Sequence, residues 1–439
     1  MLNDEIKTIY AIAAPLVFPE GFSIGSGKGK SNALEIERNG QNAPVIRGST
    51  FAGLLRSEVE NDSRFEVYAD RFFGAPLDSG FERMESSLIF SDTVFQNGSE
   101  ENIHNLMNRH TGSISEENKG LFSIEKVIPS ASAVLFIRLN SDNSNPELDS
   151  RLIKFLGECL NGGILVGGNT NRGSGRCFLK EDKLFVKKFD MEDPDSTAEY
   201  LDFMYSQKQN FSEFIEIPRC SNSDIFQIDL TLGIPDGQDI LCSSGNDLYP
   251  VSTVKADGNE YWKIPGSTLR GIFKTWFSRL AARDGEKLSD NLEEFRVRRD
   301  RKVEEMHQKE DAITDLFGSL QKKGRIHFCD AYSCSPRQSS DAQRRMHVVI
   351  DRFTGGTNPG KLFKNTVLIS DGNIQFKTKI SIRCAQEKEV RWLAKTLQAL
   401  NTGIIRLGTS KSSGRVEVRE VICTADPDNF NINFDMKGV

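Results

Sequence analysis

From Leu269 onward the apolar positions run Leu269, Ile272, Phe273, Trp276, Phe277 and Leu280. This i, i+3, i+4, i+7, i+8, i+11 spacing sets one face of an α-helix against a core. After Gly48 the same rhythm returns in Phe51, Leu54, Leu55 and Val59. Upstream of each helix the pattern predicts a strand, over 6–13 and 225–232. Each strand leads into a loop rich in Gly, Ser and Asn, 21–40 and 233–246. Downstream it predicts strands around 87–94 and 325–331, a long loop, a further strand, a second helix (152–160 and 390–400) and a last strand. Each half thus reads β-α-β-β-α-β, an α+β, ferredoxin-like arrangement of the RRM type.

The two halves are copies of one another. Ile46-Arg47-Gly48-Ser49-Thr50 recurs as Ile264-Pro265-Gly266-Ser267-Thr268, and Phe72-Phe73-Gly74 recurs as Leu316-Phe317-Gly318. Asn108-Arg109-His110-Thr111-Gly112 recurs as Asp351-Arg352-Phe353-Thr354-Gly355, and Gly175-Arg176 as Gly414-Arg415. Matches in constant order with a slowly drifting offset mark a tandem repeat. The boundaries that follow are a first unit over 1–190, a linker over 191–223, a second unit over 224–425 and a tail over 426–439. The second copy is longer across 284–311, where mixed charges and few apolar residues predict a solvated helical insertion.

Composition narrows the class. In 439 residues, 38% hydrophobic and 27% charged, there is apolar material for two cores of about 200 residues each, and too much for disorder. No window offers the roughly 20 apolar residues of a membrane span, and Met1-Leu2-Asn3-Asp4-Glu5 lacks the basic start of a secretory signal. Eight cysteines without a Cys-x-x-Cys pair fit free thiols in a reducing cytoplasm, the expected location. A net charge of −6 argues against a general polycation and leaves room for local basic grooves.

Two repeated motifs carry chemistry. At Gly48-Ser49 and Gly266-Ser267, glycine suits a sharp corner and serine or threonine an N-cap. The same helix start offers amides to a phosphate, with Arg56, Arg270 and Lys274 as nearby cations. Between the second helix and the last strand lie Gly167-Gly168-Asn169-Thr170-Asn171-Arg172-Gly173-Ser174-Gly175-Arg176 and Gly408-Thr409-Ser410-Lys411-Ser412-Ser413-Gly414-Arg415. Neither contains an acid. A tight loop explains the glycines; a cradle for a polyanion also explains Arg172, Arg176, Lys411 and Arg415. No Gly-x-x-x-x-Gly-Lys-Ser/Thr occurs, so these are not nucleotide P-loops.

With these motifs in this order, the repeated unit resembles the RAMP superfamily of CRISPR-associated proteins, whose signature is a glycine-rich loop near the end of a ferredoxin-like domain. Each half is similar to the backbone subunit of type III effector complexes, and two in one chain resemble the fused type III-D systems. The resemblance implies a filament of units on a guide RNA, with other RAMP-family subunits and a target RNA as partners and no membrane. It implies RNA contacts at Gly48, Ser49, Arg56, Gly266, Ser267, Arg270 and Lys274, and at Arg172, Gly173, Gly175, Arg176, Lys411, Gly414 and Arg415. It also implies thumb hairpins around 108–128 and 351–369, with Arg109, Arg352 and Phe353 facing RNA.

The family's target cutting relies on an aspartate in the loop before the Gly-Ser turn. By its place in Gly245-Asn246-Asp247-Leu248-Tyr249-Pro250-Val251, Asp247 is the implied catalytic residue, as base or as ligand of a divalent metal ion, Mg or Mn. Aligning Pro44-Val45 with Pro250-Val251 puts Gln41 and Asn42 there in the first copy, where no carboxylate stands. Two rival readings are a purely architectural guide-binding subunit, with Asp247 a turn former, and a guide-processing endoribonuclease. None of His104, His110, His307, His327 and His347 lies in a first strand, its loop or a Gly-Ser helix, which weighs against the latter. Asp257-Gly258 reads as a hairpin turn, and Asp92 and Asp330 as the structural ends of equivalent strands.

Overall fold

A computed structural model of the chain describes residues 6–26, 33–75, 85–105, 121–168, 170, 174–206, 211, 213–218, 225–240, 242, 252–256, 259–288, 311–319, 323–351, 353–408, 414–430, 432 and 434. The chain divides into two compact units, one within residues 1–222 and one centred on Ser223–Val439. Both are α+β, each with an antiparallel sheet.

In the first unit the elements are β1 (Thr8–Phe18), α1 (Gly48–Glu60), α2 (Ala69–Phe73), β2 (Leu88–Phe90), β3 (Ser99–Asn105), β4 (Leu121–Val127), β5 (Ala131–Ser141), α3 (Pro146–Asn161), β6 (Lys183–Asp190), α4 (Pro194–Tyr205) and β7 (Phe214–Glu216). The main sheet runs β7, β6, β1, β5, β2, with Ile12 opposite both Ile137 and Val186. Strand alternation sends Tyr10, Ile12, Ala14, Leu16 and Phe18 to one face. There they meet Phe51, Leu55 and Val59 of α1 and Leu152, Leu156 and Leu160 of α3, and together they form the core.

The second unit repeats the plan with β8 (Ile225–Gly233), β9 (Asp239–Ile240), β10 (Ser252–Ala256), β11 (Asn259–Ile264), α5 (Gly266–Arg283), α6 (Ala312–Phe317), β12 (Ile326–Phe328), β13 (Ala331–Ser333), β14 (Ala342–Ile350), β15 (Thr357–Ile369), β16 (Gln375–Arg383), α7 (Glu387–Asn401) and β17 (Glu417–Ala425). Its main sheet runs β10, β11, β13, β16, β8, β17, and β12 also pairs with β16. The helical periodicity from Leu269 is realised in α5: Leu269, Phe273, Phe277 and Leu280 are buried, and Ile272 and Trp276 pack at the margin. Ala256 and Asn259 are partners at the end of the β10–β11 pair, one residue either side of the expected Asp257-Gly258 turn, which itself lies outside the described residues.

One stretch needs a different account from the one its composition suggests. The segment expected to be a linker, 191–223, carries α4 and β7. Asp193 caps α4 by accepting from the Asp195 and Ser196 amides, and Pro194 starts the helix where its missing N–H costs nothing. Tyr200 and Phe203 cover Ile9, Ala11 and Phe189 on the second face of the sheet, β7 pairs with β6, and Ile217 is fully buried. A surface helix with one apolar edge has the same mixed composition as a spacer, which is why the pattern misleads. Of the insertion at 284–311, residues 289–310 lie outside the described residues. Asp284 accepts from the Trp392 indole at 2.8 Å, and Asp311 opens α6 through the Ile313 and Thr314 amides.

The second unit is cross-braced by Arg325. Its guanidinium donates to Asp315 of α6 at 2.8 Å through Nε, to the carbonyls of Arg383 and Cys384 at 3.0 and 2.8 Å, and to Glu389 of α7. Glu389 is only 1% exposed and also accepts from the Gln386 amide as the capping residue of α7. Removing one partner of such a buried pair strands the other charge. Arg325→Ala is therefore expected to lower stability by about 3–5 kcal/mol, read by urea unfolding. The double change Arg325→Ala with Glu389→Gln should recover part of that loss.

Candidate nucleic-acid interface

Each Gly-Ser-Thr motif starts a helix, but its hydroxyls do not cap it. Gly48 and Gly266 are the first helical residues, the N-cap positions are Arg47 and Pro265 in extended conformation, and neither helix has a side-chain cap there. The orphan amides are answered from the neighbouring strand end. Asp92 Oδ1 accepts from the Gly48 N–H at 2.9 Å, and Asp330 Oδ1 accepts from the Gly266 N–H at 2.7 Å. The expectation of serine or threonine capping is corrected accordingly, and Asp92 and Asp330 gain a definite structural role.

Glycine is needed for close approach rather than for an unusual φ. A β-carbon on Gly48 would overlap the Phe90 carbonyl oxygen, and one on Gly266 would overlap that of Phe328. A carboxylate already holds the positive end of each helix, so Gly48, Ser49, Gly266 and Ser267 shape the scaffold more than they offer a phosphate seat.

The cations on these helices are likewise engaged within the fold. Arg56 donates to Glu60 at 2.6 Å, to Asp70 at 2.7 Å and to the Gly74 carbonyl at 2.8 Å. Arg270 donates to the Phe317 carbonyl at 2.6 Å and lies over that ring, and Lys274 is buried beside the same ring. The helix ends at α2 and α6 thus each have a carbonyl satisfied by arginine, Gly74 by Arg56 and Phe317 by Arg270.

The glycine loops share one neck. Val166 N–H donates to the Gly175 carbonyl at 2.7 Å, and Leu407 N–H donates to the Gly414 carbonyl at 2.8 Å. Gly175 and Gly414 have φ of +85° and +87°, and a β-carbon on either would overlap the Val166 or Leu407 oxygen. Arg176 and Arg415, next along, lie across Gly163 and Gly403. Each neck is stitched to the segment after the first strand. Gly175 N–H donates to Gly21 O at 2.8 Å and Gly168 N–H to Ser23 O at 2.9 Å, while Gly414 N–H donates to Asp239 O at 2.7 Å. Arg172, Gly173 and Lys411 lie outside the described residues, as do Arg109, Arg352 and Asp247.

The inserted hairpins are β3–β4 and β14–β15. The second begins at Ala342, well before the predicted 351, and its last described pair is Ile350 with Thr357, so Asp351 and 353–356 lie at its tip. There Asp351 Oδ1 accepts from the Thr354 and Phe353 amides, both at 2.9 Å, and these bonds hold its carboxyl below the usual range. Phe353 is fully exposed, and so, more moderately, are Met346, Val348, Ile350 and Leu362 along the blade. A large aromatic ring held out on a braced turn can stack on a planar partner.

Sequence reasoning missed the roots of these hairpins. Arg345 of β14 pairs with Asp239, and Arg38 pairs with Glu125 of β4. The available signal was opposite charges in the loop and in the hairpin, but their pairing depends on a fold in which those segments meet.

In the first copy, the place aligned with Asp247 is an exposed turn. Asn39 Oδ1 accepts from the Gln41 and Ala43 amides at 3.1 and 2.9 Å, and Asn42 has a φ of +62°. Among the described residues no group of three or more His, Cys, Asp or Glu is placed to hold a metal ion, and no helix is long and apolar enough to cross a membrane.

Comparison with known families gives a match in both units. A family model described as RAMPs, RAMP superfamily, matches residues 15–178 and 234–417. No curated protein matches the chain.

The Asp92 cap makes a pH-dependent contribution of known sign. The Gly48 amide first, and then Arg47, hold its carboxyl below the usual range, so its stabilisation is complete above about pH 4 and is lost as pH falls through the lower folded value. Asp92→Asn is expected to lower the urea midpoint at neutral pH, with the gap from wild type closing below about pH 4. A gap that widens in acid would show that Asp92 does not act through its charge.

Proposed function

Because the chain belongs to the RAMP superfamily, we propose that it is a two-unit backbone subunit of a type III CRISPR effector complex. In this reading both units hold guide RNA and the second cuts complementary target RNA. The observation that carries it is the duplicated neck: in each unit a left-handed glycine, jammed against backbone, presents an acid-free loop bearing a cation. Such a loop offers amides, hydroxyls and positive charge to a phosphate chain. Strand order supports the ferredoxin-like reading of each unit, since disregarding the added strands and hairpins the order is fourth, first, third, second, all antiparallel.

In this assignment Arg172, Gly173, Arg176, Lys411 and Arg415 contact guide phosphates around Gly175 and Gly414. Arg109, Arg352 and Phe353, on the hairpins, face the guide–target duplex. Asp247 serves the cut, as base toward the RNA 2′-hydroxyl that attacks the adjacent phosphate, or as ligand of a divalent Mg or Mn ion. The first unit's counterpart, an asparagine turn around Gln41 and Asn42, has at those positions no carboxylate to act as base or as anionic metal ligand. The type III-D-like tandem form, the neighbouring RAMP subunits and the cytoplasmic location belong to the same proposal.

Two experiments test it. Charge reversal at Arg172 and Lys411 together should weaken guide retention and flatten its dependence on salt, because each cation removed releases fewer counterions. Unchanged binding by a folded double variant would remove the cradle from the reading. In the assembled complex, Asp247→Ala should abolish one cut in a labelled complementary target while binding persists, and chelating divalent ions should do the same. Gln41→Ala and Asn42→Ala should leave the pattern of product ends as it is. Persistence of every cut in Asp247→Ala, or loss of one in a first-copy variant, would overturn the assignment of Asp247.

A further inference from the structure

Each unit contains a residue that joins three separate segments at one point. In the second unit it is Asp239. Its carboxylate receives Arg345 from β14, its carbonyl receives the Gly414 amide from the glycine-loop neck, and its own strand β9 pairs with β15 through Asp239–Ile369 and Ile240–Leu368. The Asp239 side chain is 9% exposed. In the first unit the Gly175 amide goes to the Gly21 carbonyl, and two residues on, Ser23 makes a similar three-way junction. Its carbonyl accepts from the Gly168 amide, and its hydroxyl donates to the Glu125 carbonyl on β4 at 2.8 Å.

The Glu125 side chain then completes the tie to the loop after the first strand. It accepts from the Ile36 amide at 3.0 Å, from Ser99 at 2.5 Å and from Arg38. Burial works against its charge, yet these donors hold its carboxyl below the ordinary range.

The two ties have opposite polarity. In the first unit the loop supplies the cation and the hairpin the carboxylate; in the second the hairpin supplies the cation and the loop the carboxylate. The two pairs stand at different positions of the repeat, Arg38 and Glu125 in one unit and Asp239 and Arg345 in the other. What they share is that each joins the loop after the first strand to the inserted hairpin by opposite charges.

We propose that Asp239–Arg345 and Glu125–Arg38 are positioning pairs. They fix the hairpin relative to the glycine-loop neck, and so set the spacing along a bound RNA between the nucleotide at the neck and the one at the hairpin tip. The positional part stands on the fold alone; the RNA spacing rests on the guide-binding reading above. An ion pair suits this task because it joins loop and hairpin directly through side chains of opposite charge. Arg345 itself touches no reacting group.

The test has two arms and uses the full chain. In the first, hydrogen exchange is measured without RNA on wild type, on Asp239→Asn, on Arg345→Gln, and on the polarity swap Asp239→Lys with Arg345→Glu. Each single change should speed exchange across β14–β15 by about tenfold or more, the response to losing a charged hydrogen bond, with core amides of β8 and β16 unmoved. The swap should restore most of the protection, because it keeps opposite charges on loop and hairpin.

In the second arm a photo-crosslinking amino acid replaces Phe353 in the complex assembled on a guide of known sequence. Wild type should mark one nucleotide position per bound unit, the single variants should spread the mark over neighbouring positions, and the swap should narrow it again. Singles that leave exchange unchanged, or a swap no better than the singles, overturn the positioning pair. Normal loosening in the first arm with an unmoved crosslink overturns its role in spacing. If exchange responds as expected but no version crosslinks to RNA, the guide-binding reading falls, and the spacing role with it.

Discussion

In each unit, two places bring main chain against main chain so closely that no side chain fits between. At Gly48 and Gly266 the first turn of a helix lies on the carbonyl of Phe90 or Phe328, and at Gly175 and Gly414 the end of the glycine loop lies on the oxygen of Val166 or Leu407. Much else follows from these contacts. Pressing a helix start onto a strand end brings Asp92 or Asp330 within reach of the first amide, so a remote carboxylate replaces the local hydroxyl as cap. Closing the loop neck fixes where the loop leaves the sheet and leaves Arg176 and Arg415 beside it.

That geometry divides the basic residues into two kinds. Arg56, Arg270 and Arg325 answer carbonyls at helix or strand ends and, in the case of Arg56 and Arg325, nearby carboxylates as well. A guanidinium suits this role because its several donors are held in one plane and stay charged at any working pH. The loops past the necks carry cations with no acid in the same stretch of chain, a composition that suits a polyanion. A chain of net charge −6 can therefore bind RNA: the relevant field belongs to the loop and not to the whole surface.

The duplication separates what the scaffold needs from what one unit does alone. Helix start, carboxylate cap, left-handed glycine and hairpin occur twice. The α4–β7 addition on the first sheet and the Arg325 brace in the second occur among the described residues once each. Between these lie the hairpin roots, tied to the loop after the first strand in both units, but by ion pairs at different positions. Features that keep their geometry while changing their chemistry are held by packing and pairing, and such a scaffold allows the loop aligned with Asp247 to differ between copies.

The sequence by itself determined the tandem repeat, the α+β class, the faces of α1, α5 and the second helices, and the glycine loops, because each is written in a local spacing. Leu269, Phe273, Phe277 and Leu280 announce their helix without reference to any other segment. Resemblance in motif order added the family, which the match over both units bears out. Only the tertiary structure decided which side chain caps the Gly-Ser helices, that Arg56 and Arg270 face inward to carbonyls, that α4 and β7 are built onto the first sheet, and that Asp239 meets Arg345. The physical reason is the same in each case. A hydrogen bond or ion pair between residues tens of positions apart leaves no period in the chain, and its partners are chosen by which strand ends the sheet brings together.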